Sequence, residues 1–309
     1  MPYVCAPCWF NSPPGAFADA MPRLSAPRVG SILQKEKIMD MFAVQLAAAV
    51  LDDLERVRMA NAARYGALTG FTPAGKPWKP DKDGEVRTFG MSPDHADARR
   101  FASIVDGLST LEETAVKALE RAMRDHPMGP WVRKQRGLGL KQAGRLLAAV
   151  GDPYWRPEII IYDDDDVETG RRPAGPRTVS ALWAYSGLHV NGDGLAVRRK
   201  KGVQSNWSTN AKMRAYLCAE SCVKQLVQPC HAADFEGRWL AVHYDDCACS
   251  PYRVTYDRRK THTAETQPEW KPIHRHVDAL RVASKEILKA MWIEARRLHL
   301  ELENLPPAP

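Results

Sequence analysis

Apolar side chains at Ile38, Phe42, Leu46, Val50, Leu54 and Val57 recur at steps of three and four, the repeat of one helix face. They predict a helix over 31–68 with that stripe turned inward. The stretch 71–90 is crowded with Pro, Gly and Lys and reads as a loop. Ser92-Pro93-Asp94 has the form of a helix start, with proline in the first turn. The helix it opens runs through Leu111 to Met123, with a break expected at Gly107. Beyond Pro130, a short helix ends at about Gln135, Gly137-Leu138-Gly139 turns the chain, and Leu140, Ala143, Leu146, Leu147 and Val150 line one face of the next helix. A β-like run at Glu158–Tyr162 precedes Asp163–Asp166, which read as a solvated charge block rather than a metal site.

Residues 178–185 predict a short helix ending at Ser186-Gly187. The Asn-Gly and Asp-Gly steps that follow predict a β-hairpin over 189–208. Helices are expected at 209–226, over the segment SPYRVTYDRRK, and at 272–300, where Leu280, Ala283, Ile287, Leu288, Met291 and Ala295 form a core stripe. The fold class is therefore mostly α: a helical hairpin, then a helix-hairpin-helix-containing helical domain with a small β-hairpin. The expected divisions are a disordered N-terminus at 1–30, a helical hairpin or coiled-coil-like region at 31–130, the second domain at 131–300 and a tail at 301–309. The hairpin serves either as bundle core or as an arm for homodimerisation.

Charge narrows the partners. The chain has 309 residues and a formal net charge of +7, a balance that favours a polyanion. No run of apolar residues is long enough for a membrane span, and the N-terminal residues lack the basic-then-apolar order of a secretory signal. Seven cysteines, an odd number, fit reduced thiols in the cytoplasm better than a disulfide framework.

The cations cluster at two turns. Arg133, Lys134, Arg136, Lys141 and Arg145 surround Gly137 and Gly139. Glycines there would let the backbone approach a phosphate while the next helix presents its N-terminal N–H groups; the plainer alternative is glycine punctuation in a packed bundle. Arg198, Arg199, Lys200 and Lys201 stand on the expected β-hairpin, ahead of Gln204, Asn206 and Trp207, and Lys212 and Arg214 extend the surface along the next helix. This is equipment for a nucleic-acid backbone and an unstacked base, or simply a solvated tip. Cys230, His243, Cys247 and Cys249 offer four ligands to a structural zinc. The Cys-x-Cys spacing is tighter than the usual knuckle, and buried thiols are the alternative, above all for Cys218 and Cys222. His274 and His276 open the terminal helix beside Arg275, and Tyr252, Arg253 and Tyr256 share the helix before it.

Taken in order, RGLGLKQAGRLLAAVGDPYW, TVSALWAYSGLH, the basic segment, NAKMRAYLCAESCVK, SPYRVTYDRRK and HRHVDALRVASKEILKAMW resemble the C-terminal domain of the DEDD-type insertion-sequence transposases, family one-ten, over about 131–297. The resemblance implies DNA as partner, a role in transposition or recombination on a mobile element or phage, and association with the nucleoid. Two departures matter. Nothing in 1–130 reads as the RuvC-like domain with its acidic metal ligands, and the serine that the family places beyond its Gly-Leu step is absent from His189–Gly194. The expectation is thus a DNA-binding protein that is catalytically incomplete alone. The alternatives are an active recombinase that uses Ser205 or Ser208 or a partner's RuvC-like subunit, and an adaptor that binds structured RNA.

Overall fold

The computed structural model describes residues 41–79, 84–162, 167–192, 194–199, 201–224, 232–233, 239–240, 243 and 248–303. The segment expected to be disordered and the first residues of the expected 31–68 helix lie outside them. Helix α1 (Phe42–Thr69) runs antiparallel to α2 (Ala96–Asp125). Arg58 pairs with Glu112, and the rings of Tyr65 and Phe101 meet at 6.3 Å. Ser92 does not cap α2. Its Oγ accepts from Asp94 N–H at 3.2 Å and its carbonyl from His95 N–H at 3.0 Å, closing a separate turn. His95 takes the cap instead, Nδ1 accepting from Asp97 N–H at 3.2 Å. The helix passes Gly107 without a break, because Val105, Ala115, Leu119 and Met123 keep one continuous face in the core.

The inward face of α1 is not the stripe with the longest apolar side chains. Phe42 is 65 % exposed, Leu46 53 %, and Val50 and Val57 are also open to solvent; Val44, Ala48, Leu51 and Tyr65 are buried. The reason is electrostatic as well as steric. Asp52 and Glu55 share the inward side and meet Arg145 and Arg214 there, so any other rotation of α1 would leave those charges unpaired.

Beyond α2, the short α3 (Gly129–Lys134) leads through the glycine turn into α4 (Leu140–Val150). Helix α4 packs against α1, α2 and α6 (Thr209–Val223); α6 in turn packs on α8 (Pro272–Glu303), which also carries α5 (Val179–Tyr185) and α7 (Pro251–Thr266). One apolar cluster joins residues from 44 to 295, so the expected hairpin region and the residues beyond 130 share a core. The expected stripe of α8, Leu280 to Ala295, is buried throughout.

Between α4 and α5 the chain forms a two-stranded ribbon. Strands β1 (Trp155–Arg156) and β4 (Gly175–Pro176) pair at its base, and β2 (Ile159–Tyr162) pairs with β3 (Glu168–Arg172) further out. All but the last pair keep one register, interrupted where Pro157 and Pro173 cannot donate to a ladder. Asp163–Asp166 lie outside the described residues. The base is locked by Arg177, which donates to the carbonyls of Val150 and Pro153 at 3.0 and 2.9 Å and also to that of Asp152. The regular hairpin therefore precedes α5. The segment expected to form one, 189–208, closes a turn from Asn191 to Leu195 and, among the described residues, shows a single bridge, Val190 to Ala196. A third small pair, β5 (Ala232–Ala233) with β6 (Trp239–Leu240), stands between α6 and α7.

Candidate nucleic-acid interface

The turn between α3 and α4 is rigidly held from beneath. Leu138 is buried, Ser221 Oγ donates to the Gly137 carbonyl at 2.8 Å, and Tyr252 Oη donates to Gln135 Oε1 at 2.9 Å. Gly137 has φ 85°, a left-handed conformation that a side chain would strain. Gly139 differs. It is the extended N-cap of α4, with φ −74°, and a Cβ there would meet nothing within 4 Å. It makes no side-chain cap, so the first-turn N–H groups of α4 receive no hydroxyl or carboxylate from that position. Around this turn Arg133, Lys134 and Arg136 are exposed and Lys141 is half-buried.

Arg145 and Arg214 correct the expected surface. Both are buried, at 4 % and 7 % exposure. Arg145 donates through Nε to Asp52 Oδ1 at 2.7 Å and also pairs with Glu55, while Arg214 Nη2 donates to Asp52 Oδ2 at 2.6 Å. They cannot reach a ligand, because each sits between α1 and its own helix with α1 carboxylates as partners. Burial opposes the charge on Glu55, yet the hydrogen bond and attraction from Arg145, with Lys141 and Arg214 behind it, hold its carboxyl below the ordinary glutamate value.

The second basic segment lies at the other end of α6. Arg198, Arg199 and Lys201 are exposed; Lys200 lies outside the described residues. Trp207 packs against Gly187, where φ is 61° and a Cβ would stand 2.5 Å from the indole. Lys212 lies 4.5 Å over that ring and donates to the Val197 carbonyl at 2.9 Å. Ser208 is the N-cap of α6, its Oγ accepting from Ala211 N–H at 3.1 Å, and Ser205 Oγ donates to the Trp207 carbonyl at 3.3 Å. Both hydroxyls thus have structural partners.

Lys212 and Ser221, which touch the two basic segments, are nine residues apart on α6. That is about 13 Å along the axis and about half a turn around it. The exposed stripe of α6, at Met213 and Lys224, runs between the two segments. Two cations that the sequence reading passes over, Arg281 and Lys285, adjoin the Lys212 end. Arg281 Nη1 donates to the Leu188 carbonyl at 3.2 Å, and Lys285 Nζ lies 4.0 Å over Trp183, whose Nε1 donates to the Lys285 carbonyl at 2.9 Å. Their only signal in the sequence is a spacing of four beside the core stripe.

Of the zinc candidates, His243 and Cys249 are described and Cys230 and Cys247 lie outside the described residues. His243 Nε2 shares a hydrogen bond with Asp257 Oδ2 at 2.8 Å, and Asp257 also pairs with Arg253. Cys249 is buried. Among the described residues no three His, Cys, Asp or Glu side chains gather as a metal site. Cys218 and Cys222 are core residues; burial pushes the Cys222 thiol up to about 11 and that of Cys218 higher still. Tyr252 and Tyr256 are packed inside, and Tyr256 Oη shares a hydrogen bond with His276 Nδ1 at 2.7 Å.

Fold and surface together define a mostly helical protein with two cationic segments at the two ends of one helix. Among the described residues no helix is long and apolar enough to cross a membrane. Comparison with known protein families, with curated proteins and with solved structures finds no match to this chain.

Proposed function

We propose that this protein binds DNA, in the manner expected of a transposase C-terminal domain, through the α3–α4 turn and the 198–201 segment. One observation carries the reading. Many cations elsewhere on the surface are neutralised by carboxylates, as in Arg56 with Asp53, Arg100 with Asp97, Arg171 with Glu168 and Arg297 with Glu294. Arg133, Lys134, Arg136, Arg198, Arg199 and Lys201 form no ion pair among the described residues. Unpaired cations fixed around an anchored turn suit phosphates, whose recognition is independent of base sequence. A second copy of the chain, joined along the exposed apolar stripe of α1, would present two such surfaces to one duplex.

The test is an anisotropy titration of a labelled duplex at several salt concentrations, with a single strand and a structured RNA alongside. The logarithm of affinity falls with the logarithm of salt by about 0.9 for each phosphate neutralised on duplex DNA. Replacing Arg198, Arg199, Lys200 and Lys201 with alanine flattens that slope without changing the melting temperature. Gly137→Val weakens binding and destabilises the turn, whereas Gly139→Ala leaves the fold intact. An unchanged slope in the fourfold variant removes the 198–201 segment from the interface, and tighter binding to the RNA than to the duplex replaces DNA as the partner.

A further inference from the structure

We propose that the cavity along the 258–265 face of α7 binds a phosphorylated sugar, with Arg258 on the phosphate and Glu265 on the sugar hydroxyls. This face belongs to neither basic segment assigned to DNA, so the site goes beyond that reading.

The cavity has a volume of about 320 Å³ and is lined by His243, Arg258, Thr261, His262 and Glu265. Four of these stand at i, i+3, i+4 and i+7 on α7, the spacing that gathers side chains on a single helix face. The fifth, His243, comes from outside the helix. Asp257 stands one turn before Thr261, and the 2.8 Å bond between its Oδ2 and His243 Nε2 brings the imidazole to the same side. The His243 side chain is 3 % exposed, and Arg253 pairs with the same carboxylate oxygen. Arg253 also donates through Nη1 to the Val223 carbonyl at 2.6 Å, which ties this wall to the end of α6.

The α7 side chains that face the cavity are those the fold leaves unused. Thr255, Thr263 and Thr266 each donate a hydroxyl to the carbonyl four residues back, at 3.0, 3.1 and 2.8 Å. Thr261 makes no such bond. Arg253 and Arg259 pair with Asp257 and Asp278, whereas Arg258 forms no ion pair among the described residues. The side chains of His262 and Glu265 likewise have no partner among the described residues. An exposed polar group alone says little, but four around one concavity with a buried imidazole wall have the form of a ligand site.

The order of the groups selects the ligand. Arg258, Thr261 and His262 lie within about one turn of each other and can all donate to one tetrahedral oxyanion. Glu265 repels a wholly anionic occupant. It stands roughly 10 Å along the axis from Arg258, and its carboxylate accepts from hydroxyls. A ligand that satisfies both ends carries an anion at one end and hydroxyl donors at the other. A phosphorylated sugar does so, whether free or as the 5′-terminal unit of a nucleic-acid strand.

The experiment is a calorimetric titration of the full chain with ribose 5-phosphate, inorganic phosphate and ribose in turn. Ribose 5-phosphate binds about tenfold or more tightly than either of its parts. Arg258→Gln weakens it about tenfold or more. Glu265→Gln weakens ribose 5-phosphate but leaves inorganic phosphate unaffected. Both positions are exposed, so both variants keep the wild-type melting temperature. Absence of binding at millimolar ribose 5-phosphate, or wild-type affinity in both variants, overturns the site. Inorganic phosphate that binds as tightly as ribose 5-phosphate removes the sugar end and overturns it equally. A 5′-phosphorylated oligonucleotide that competes where its 5′-hydroxyl counterpart does not makes a strand end the source of the ligand. Competition by neither makes the ligand a free sugar phosphate.

Discussion

The two faces of α1 separate what hydrophobicity does from what charge does. The outer face carries Phe42, Leu46, Val50 and Val57, while the inner face carries Val44, Ala48 and Leu51 together with Asp52 and Glu55. Judged by apolar area alone the outer face should be buried. The inner face is chosen because its smaller side chains fit against α2 and α4, and because only that rotation neutralises Arg145 and Arg214. A helix with two candidate faces is oriented by the groups that cannot tolerate the wrong one.

The largest expected effect comes from removing that constraint. Asp52→Ala leaves Arg214 buried without its carboxylate and Arg145 with Glu55 alone. We expect a loss of about 3 kcal/mol, the lower end of the range for breaking a buried ion pair because Asp52 is itself partly open to water. Leu46→Ala, on the outer face, changes the monomer's stability by no more than about 0.5 kcal/mol. Urea unfolding of both variants checks the contrast, and equal losses would mean that the ion pairs do not set the rotation.

Acid sharpens the same contrast more gently. The carboxyl of Glu55 is held below its ordinary value in the folded chain. Its contribution is therefore fully present above the unfolded-state value and disappears as pH falls through the lower folded-state value. Urea midpoints measured from neutral pH down through the carboxylate range should fall less steeply for Glu55→Gln than for the wild type. A steeper or identical decline would mean that Glu55 gains nothing from Arg145.

Several elements were legible because local chemistry and packing agree. Gly139 and Gly151 bracket α4, Thr178 caps α5, and the α8 stripe is the α8 core. The failures share one cause, which is dependence on distant partners. Arg145 and Arg136 look alike along the chain, and only the arrival of α1 makes one of them structural. The 155–176 ribbon was obscured by its prolines and by the stronger turn signals after α5.

The smallest effect on stability should accompany the clearest change in assembly. The outer face of α1 presents Phe42, Leu46, Val50 and Val57 along a helix of 28 residues, with Asp53 and Arg56 on its exposed side. Asp53 and Arg56 already pair with each other within α1, so what the stripe offers a second copy is apolar area. The dimer proposed above would bury that area. Leu46→Glu with Val50→Glu places two carboxylates in that seam, and the double variant should sediment as a monomer where the wild type sediments as a dimer. Its urea midpoint should stay close to that of the wild-type monomer, because neither side chain belongs to the core. A wild type that is monomeric at tens of micromolar, or a double variant that remains dimeric, would remove the outer face from self-association and leave inner-face packing and the buried ion pairs to decide how α1 is turned.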